Sequence, residues 1–336
     1  MTKKNIVVFG ATGAVGVYTV MHLLNSGYNV FAVGKRNNDN GFFSEHFVRY
    51  YSVDITKYEN FSILPIDNIY AIVHLAGFLP ANMNGNFNHV YIDINIIGTL
   101  NILQYAVAVG VQRVVYSTSF SDVSYLWGTK DPIGPESPIK FPIDNDHSIY
   151  SISKNTGVNI LQHYSHKYNF KYFILRFPNI YLFHPNPTYF VNGIKRWKGA
   201  CLIISQAKKG EDIELWGNPM IVRDMVYVKD CTQIIEKSLS ANSEGGIFNV
   251  GTGIGTTRED QIKGIIKVFS SKSYKSKIIY RTDLPDSPQY IMDISKTQKE
   301  LGFELKYNYI KYLLDYKKEM EENRFKKLWG VESDYI

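Results

Sequence analysis

Only two cysteines, Cys201 and Cys231, occur in 336 residues, and they stand far apart with no CxxC spacing. That excludes a disulfide framework and a cysteine-based zinc site, so both read as packing residues in a reducing compartment and no metal is expected. Long apolar runs are missing too. The opening run Ile6 to Phe9 passes into glycines rather than a cleavage site, and no uninterrupted stretch approaches the roughly 18 apolar residues that span a bilayer. A cytoplasmic location with no membrane partner is the expectation. Blocks of a single charge are also absent: 37 basic residues against 31 acidic ones leave +6, with only short pairs such as Lys208-Lys209 and Lys326-Lys327. Nucleic acid is therefore not expected as a partner, whereas a pocket for an anionic ligand accounts for the surplus. No internal repeat or low-complexity tract marks a solenoid or a tethered tail.

What remains is an ordinary globular composition, 45% hydrophobic and 20% charged, with an unusual 25 tyrosines. The length suffices for one large or two modest domains with a proper core. Over the first 180 or so residues, short Val- and Ile-rich runs alternate with segments of helical period, which predicts a parallel sheet covered by helices on both faces. The strands expected are Asn5–Phe9, Asn29–Val33, Phe47–Val53, Ile69–Leu75, Val111–Ser117 and Lys171–Arg176. Between them the pattern predicts helices at Ala14–Ser26, near Lys57–Ile63, about His89–Val109 and at Ile149–Tyr168, with Gly27 and Gly110 just past helix ends. Gly128–Asp146 reads as a proline-rich loop, and a second such piece, Pro178–Pro187, marks the domain transition. Beyond it the pattern predicts helices at about Val191–Lys209, Val228–Leu239 and Tyr309–Lys327, and strands near Ile213–Trp216 and Ile247–Val250.

Gly10-Ala-Thr-Gly13-Ala-Val-Gly16 follows a strand and opens a helix. In that context glycines permit a tight turn, close backbone approach to a diphosphate and close helix–strand packing, with the anion resting on the helix N-terminus. Without a ligand the same glycines would simply turn the chain. A carboxylate usually meets the adenosine ribose of NAD at the end of the second strand; here the residues are Gly34-Lys35-Arg36. Two cations in place of an acid favour the 2′-phosphate of NADP, although exposed cations at a strand end also serve as a solvated loop. Asp54 is placed either to accept from the adenine amino group or to cap the helical piece after it.

Tyr150-Ser-Ile-Ser-Lys154 stacks a phenol and an ammonium on one helix face. A phenol with pKa near 10 needs nearby positive charge to act as a base at neutral pH, and Lys154 is placed to provide it. Such a pair is otherwise a snorkelling lysine beside a ring. The strand end Ser117-Thr118-Ser119 offers hydroxyls to hold a substrate oxygen.

These features, in this order, resemble the extended short-chain dehydrogenase/reductase family, in particular its NAD(P)-dependent sugar-nucleotide epimerase/dehydratase branch. Further motifs join them: His74-Leu-Ala-Gly77, Asn95-x-x-Gly98-Thr99, Leu175 to Asn179 (LRFPN), Arg223 to Asp230 (RDMVYVKD) and Phe248 to Gly253 (FNVGTG). The resemblance implies a Rossmann-type doubly wound α/β sheet over residues 1–177, with strand contributions from about 212–250. It implies that 178–336 form mainly a smaller mixed α/β domain for a nucleoside-diphosphate sugar. NAD or NADP would lie on Gly10, Thr12, Gly13, Ala14, Val15, Gly16, Gly34, Lys35, Arg36, Asp54, Ile55, Leu75, Ala76, Gly77, Asn95, Ser117, Tyr150, Lys154, Phe177 and Pro178. Tyr150 would be the acid/base, Lys154 would lower its pKa, and Ser119 would hold the reacting oxygen. Ser119, Phe120, Asn179, Arg223 and Arg281 would bind substrate, the arginines by forking onto phosphate; a salt bridge from Arg223 to Asp224 or Asp230 is the plainer alternative. His147 either supplies a second acid/base group or flanks the helix. A homodimer paired through the helices about His89–Val109 and Ile149–Tyr168 is likewise implied.

The departures bear on the reaction. The dehydratase branch carries Thr-Asp-Glu at the hydroxyl strand, whereas Ser119 is followed by Phe120 and Ser121, which removes the acids that drive loss of water. Tyr181-Leu-Phe-His184 replaces the customary Tyr-Gly-Pro, so the sugar pocket is altered. The sequence thus points to an epimerase working through a transient keto-sugar. An NADPH-dependent keto-sugar-nucleotide reductase uses the same residues, and a non-catalytic redox sensor would need none of the acid/base set.

Overall fold

The computed structural model describes residues 3–80, 88–145, 148–191, 193–271 and 274–336. The first half runs β1 (Asn5–Phe9), α1 (Ala14–Asn25), β2 (Asn29–Gly34), a short α2 (Phe42–Glu45), β3 (Arg49–Ser52), β4 (Ile69–His74), α3 (Asn88–Tyr91), a π-helical stretch (Ile92–Ile97), α4 (Gly98–Ala108), β5 (Arg113–Ser119), α5 (Ser148–Tyr168) and β6 (Lys171–Phe177). The second half is mixed: β7 (Thr188–Val191), β8 (Ile194–Trp197), α6 (Gly199–Lys209), β9 (Ile213–Trp216), β10 (Val222–Asp224), α7 (Val228–Ser240), β11 (Gly245–Asn249), β12 (Gly255–Thr257), α8 (Arg258–Phe269), β13 (Ile278–Arg281), α9 (Ser295–Leu301), α10 (Tyr309–Glu322) and α11 (Lys326–Trp329).

Seven strands form one sheet in the order β11-β6-β5-β4-β1-β2-β3, every neighbouring pair parallel. The order reverses beside β1, so a crevice opens at the carboxyl ends of β1 and β4, where open α/β sheets take their ligands. Strand periodicity splits the core in two: Ile6, Val8, Val73 and Val115 face the layer that contains α1 and α7, while Val7, Phe9, Ile72 and Val114 face α4 and α5. Strand β11 extends the sheet from the second half of the chain; β9 instead pairs with β13 outside it.

The tyrosines find a place here. Tyr181, Tyr227, Tyr307, Tyr309, Tyr312 and Tyr316 pack edge-on or tilted against one another in the second half of the chain. Their rings supply apolar area, and hydroxyls such as that of Tyr227 on Asp315 (2.7 Å) stay bonded.

Several expectations change. The helix expected over 191–209 is a β7–β8 hairpin followed by α6, because Tyr189-Phe190-Val191 suits a strand. The last amphipathic helix stops at Glu322, where Asn323 turns left-handed (φ 39°). Helices α8 and α9 and strand β13 were not expected. By length and mean hydropathy (1.3) the continuous helix 88–108 is apolar enough to cross a membrane, but half of its apolar window is buried in the protein.

Candidate active site

The glycine loop is shaped by clashes it avoids. Gly10 takes φ +83°, and a Cβ there would lie 2.7 Å from the Ala76 nitrogen; one on Gly16 would lie 2.0 Å from the Gly10 carbonyl. The loop is anchored by Gly10 and Ala11 N–H groups on the Val33 carbonyl (2.9 and 3.0 Å). Helix α1 starts at Ala14 with no acidic residue in its first turn, and Gly13 lies exposed before Ala14 and Val15. Backbone N–H groups and the helix dipole therefore face the crevice free of a competing carboxylate, which fits a dinucleotide's diphosphate. Thr12 is held from behind: the Trp329 indole donates to its carbonyl (3.1 Å).

At the end of β2, a Cβ on Gly34 would meet the Thr12 hydroxyl at 2.9 Å and the Tyr50 hydroxyl at 3.0 Å, so a side chain there would have to displace both. Asp54 accepts from the Thr56 N–H (3.1 Å) and hydroxyl (2.8 Å), and pairs with exposed Lys35 at 3.2 Å. Ile55 is buried beside it, its carbonyl taken by Asn101 (2.8 Å). Arg36 donates to the Leu328 carbonyl. With Arg36 spent on the C-terminal backbone and Lys35 on Asp54, the preference for a 2′-phosphate loses its structural support.

Tyr150 in the first turn of α5 and Lys154 one turn later are both buried, at 8% and 5% exposure. Ser119 ends β5, within hydrogen-bonding reach of the Tyr150 hydroxyl, and its own oxygen accepts from the Ser121 N–H (3.2 Å). Burial pushes the Tyr150 phenol up to about 12, against the Ser119 hydroxyl, with Tyr91 and Asp122 adding to the rise. Burial also pushes Lys154 down to about 7, and its ammonium lies 4.2 Å over the Tyr116 ring. The lowering expected of Lys154 on Tyr150 is thus not achieved by the protein groups alone.

Asn95 lies in the π-helical stretch, a distortion that often marks functional sites. Its amide oxygen accepts from Phe78 N–H (2.9 Å), and its nitrogen donates to the Phe78 carbonyl (3.3 Å) and the Ser153 hydroxyl (3.0 Å), tying the loop after β4 to α5. Leu75, Ala76 and Gly77 form that loop, and a Cβ on Gly77 would lie 3.2 Å from the Asn95 oxygen and 3.9 Å from the Lys154 nitrogen. The Ser117 hydroxyl donates to the His74 carbonyl (3.4 Å). Phe177 pairs in register with Ser119 across β5 and β6, and buried Pro178 follows it. His147 lies outside the described residues.

Among the residues expected to meet substrate, exposed Asn179 donates to the Tyr290 hydroxyl (3.2 Å), and Arg223 donates to the Pro288 carbonyl (3.1 Å). Asp224 and Asp230 do not pair with Arg223. Asp224 accepts from Thr252, Gly253 and Met292, while Asp230 accepts from Lys306 and Tyr307. Phe120 is turned into the core between Trp127 and Tyr290, so its expected substrate contact is replaced by packing. Arg281 is gripped by Asp283 and Glu214 (2.9 and 3.1 Å).

Three groups had no individual role assigned from the sequence. Tyr181 and Tyr290 join Arg223 in the polar cluster, and Arg258 lies beside them. Arg176 is the third kind of miss: this fully buried guanidinium holds Asp122 at 3.0 Å and the Pro135 carbonyl at 2.9 Å, pinning the proline-rich loop to the end of β6. A separate cavity of about 150 Å³, lined by Phe183, His184, Trp197, Cys201, Lys208 and Tyr316 among others, shares no residue with this constellation.

The model of the NAD dependent epimerase/dehydratase family matches residues 6–251. A UDP-glucose 4-epimerase of Bacillus subtilis is 25% identical over 329 residues, covering 90% of this chain and 92% of that protein. Among solved structures, the UDP-glucose 4-epimerase of Thermotoga maritima with UDP-glucose aligns at a TM-score of 0.73 and 24% identity, covering 95% of this chain and 100% of that one. The Thermus thermophilus UDP-glucose 4-epimerase in complex with NAD aligns at 0.71 and 21% identity, covering 93% and 98%.

Proposed function

The chain belongs to the NAD dependent epimerase/dehydratase family, and from that premise we propose that it is an NAD-dependent epimerase of a nucleoside-diphosphate sugar, working through a transient keto intermediate. The observation that carries this reading is the set of groups around Tyr150. Ser119, Tyr150 and Lys154 converge, yet among the described residues after β5 no acid is free to drive elimination: Phe120 is packed in the core, Ser121 accepts from Ser151 (3.0 Å), and Asp122 is committed to Arg176.

In this mechanism Ser119 holds the reacting sugar oxygen while Tyr150 takes the hydroxyl proton and returns it to the same oxygen at the end of the cycle. Gly10, Gly13 and Gly16 would hold a nicotinamide dinucleotide, which would supply reversible hydride acceptance and, when oxidised, positive charge close to Tyr150. Lys154, its charged form disfavoured by burial, lies close to that same pocket, where a phenolate formed at Tyr150 would favour its ammonium. Asn95 fixes the loop at Phe78 so that the pocket keeps its shape. Asn179 and Arg223 hold the diphosphate end, which leaves the sugar free to present either face. A homodimer joined through α4 and α5 belongs to the same proposal.

The test starts with the purified protein's absorbance for co-purified nicotinamide. Nuclear magnetic resonance then follows UDP-glucose, UDP-N-acetylglucosamine and UDP-glucuronate with no cofactor added. Interconversion of C4 epimers in one of them, lost about 10²-fold or more in Tyr150→Phe, is the expected result. Stoichiometric consumption of NADPH on a keto-sugar nucleotide, with no epimer formed, would overturn it in favour of a reductase.

A further inference from the structure

Arginine is out of place in the first turn of a helix, where unpaired N–H groups and the macrodipole favour anions. Arg258 nevertheless opens α8, directly after the Thr257 cap. The acids that follow do not take its charge: Glu259 binds Lys263 and Tyr280, and Asp260 accepts from the Thr257 hydroxyl. The half-buried guanidinium lies instead near Arg223 and Tyr181. Antiparallel pairing brings this about, since Arg223 stands opposite Thr256 and Val222 opposite Thr257, and the Arg258 N–H is tied to the Ile221 carbonyl at 2.8 Å.

Among the described residues the two guanidiniums bond only neutral groups. Arg258 donates from Nη1 to Gln261 (3.2 Å), leaving its buried Nε without an acceptor among the described residues; Arg223 donates to the Pro288 carbonyl. Burial and the neighbouring Arg223 both push the Arg258 pKa down, the mark of a cation held beside a like charge. Two adjacent guanidiniums with no carboxylate destabilise the free protein and attract a polyanion. Neutral donors complete the setting: Tyr181 lies within hydrogen-bonding reach of Arg223 and Tyr290, and the Asn179 amide reaches Tyr290 at 3.2 Å. Exposed Asn179 opens this cluster to solvent.

We propose that Arg258 and Arg223 form a two-arginine clamp for the substrate's diphosphate, with Arg258 in the role expected of Arg281. Arg281 is already forked by Asp283 and paired with Glu214, so it has less to offer a phosphate. The clamp is a specificity device: two forks match a diphosphate and exceed what a monophosphate can satisfy. The inference rests on the sugar-nucleotide reading above, and its test separates the two.

Calorimetry would compare UDP, UMP, uridine and inorganic pyrophosphate on the full-length wild-type protein and on Arg258→Leu, Arg258→Gln and Arg281→Leu. Leucine keeps the apolar stem volume, and glutamine serves where the leucine variant does not fold. The expected result is that the Arg258 variants weaken UDP about tenfold or more while Arg281→Leu stays within about twofold. UMP should lose less than UDP, and any uridine binding should be unchanged. UDP binding unaltered in both Arg258 variants, or an equal loss in Arg281→Leu, overturns the clamp and leaves the epimerase reading standing. Pyrophosphate binding that depends on Arg258, in a protein that binds no nucleotide, supports the clamp and removes the sugar-nucleotide reading. No binding of any of these anions to the wild-type protein overturns the clamp.

Discussion

Lys154 is buried in a fold that gives its ammonium an aromatic face, Tyr116, and no ion pair among the described residues. Burial brings its pKa from the ordinary 10.5 to about 7. Between those two values the unfolded chain binds more protons than the folded one, so this residue's contribution to stability rises with pH across the window and is most unfavourable below pH 7. Lys154→Met should therefore be more stable than the parent near pH 7, by about 4 kcal/mol, with the gain shrinking toward zero as pH approaches 10.5. Urea midpoints of both proteins at several pH values check this, the tyrosines common to both cancelling in the difference. A constant difference across the range would mean that Lys154 stays charged in the fold. Turnover in the variant should fall, since a stabilising change that removes function is what a strained site group predicts.

Elements built from local signals were readable in advance, and those built from distant ones were not. Strands β1, β2, β4 and β6 match their expected spans within a residue or so, because buried parallel strands are short apolar runs bounded by turns. The β7–β8 hairpin had a signal that was passed over, Asn192-Gly193 between aromatic and β-branched residues, with Gly193 at φ +74°. Helix α8 had one too, Thr257 capping ahead of Ile262, Ile265 and Phe269. The strap formed by α11 had none. Its contacts with the glycine loop and the segment after β2, Trp329 on Thr12 and Leu328 on Arg36, join residues some three hundred positions apart. Lys327 pairs with Glu45, Asn40 reaches the Lys327 carbonyl (2.8 Å), and His184 stacks on Trp329 with ring centres 4.4 Å apart. An element that closes behind the glycine loop should slow cofactor exchange, which suits an enzyme that regenerates its cofactor in every cycle. Trp329→Leu removes the indole donor, so cofactor dissociation, followed by fluorescence on dilution, should accelerate about tenfold while Tyr150 chemistry at saturating cofactor changes little. Unchanged dissociation would reduce the strap to packing.

At the scale of the whole molecule, the helix running from Asn88 to Ala108 and its neighbour α5 cover one face of the sheet. Their inner sides are buried; their outer sides expose Ile92 (37%), Ile97 (39%) and Ile152 (39%). An apolar outer stripe on two adjacent helices fits a second copy of the chain packed about a twofold axis, since a closed, self-complementary contact hides the same residues on both partners. Tyr150 and Lys154 lie on the opposite side of α5, so such a pairing would also steady the helix that carries the proposed acid/base group. An Ile97→Glu, Ile152→Glu double change puts like charges on both sides of that contact. Sedimentation should show a dimer for the parent protein at micromolar concentration and a monomer for the variant, with a melting temperature that no longer rises with protein concentration. If the parent sediments as a monomer, the stripe serves something other than self-association. If the variant stays dimeric, the contact lies elsewhere on the surface.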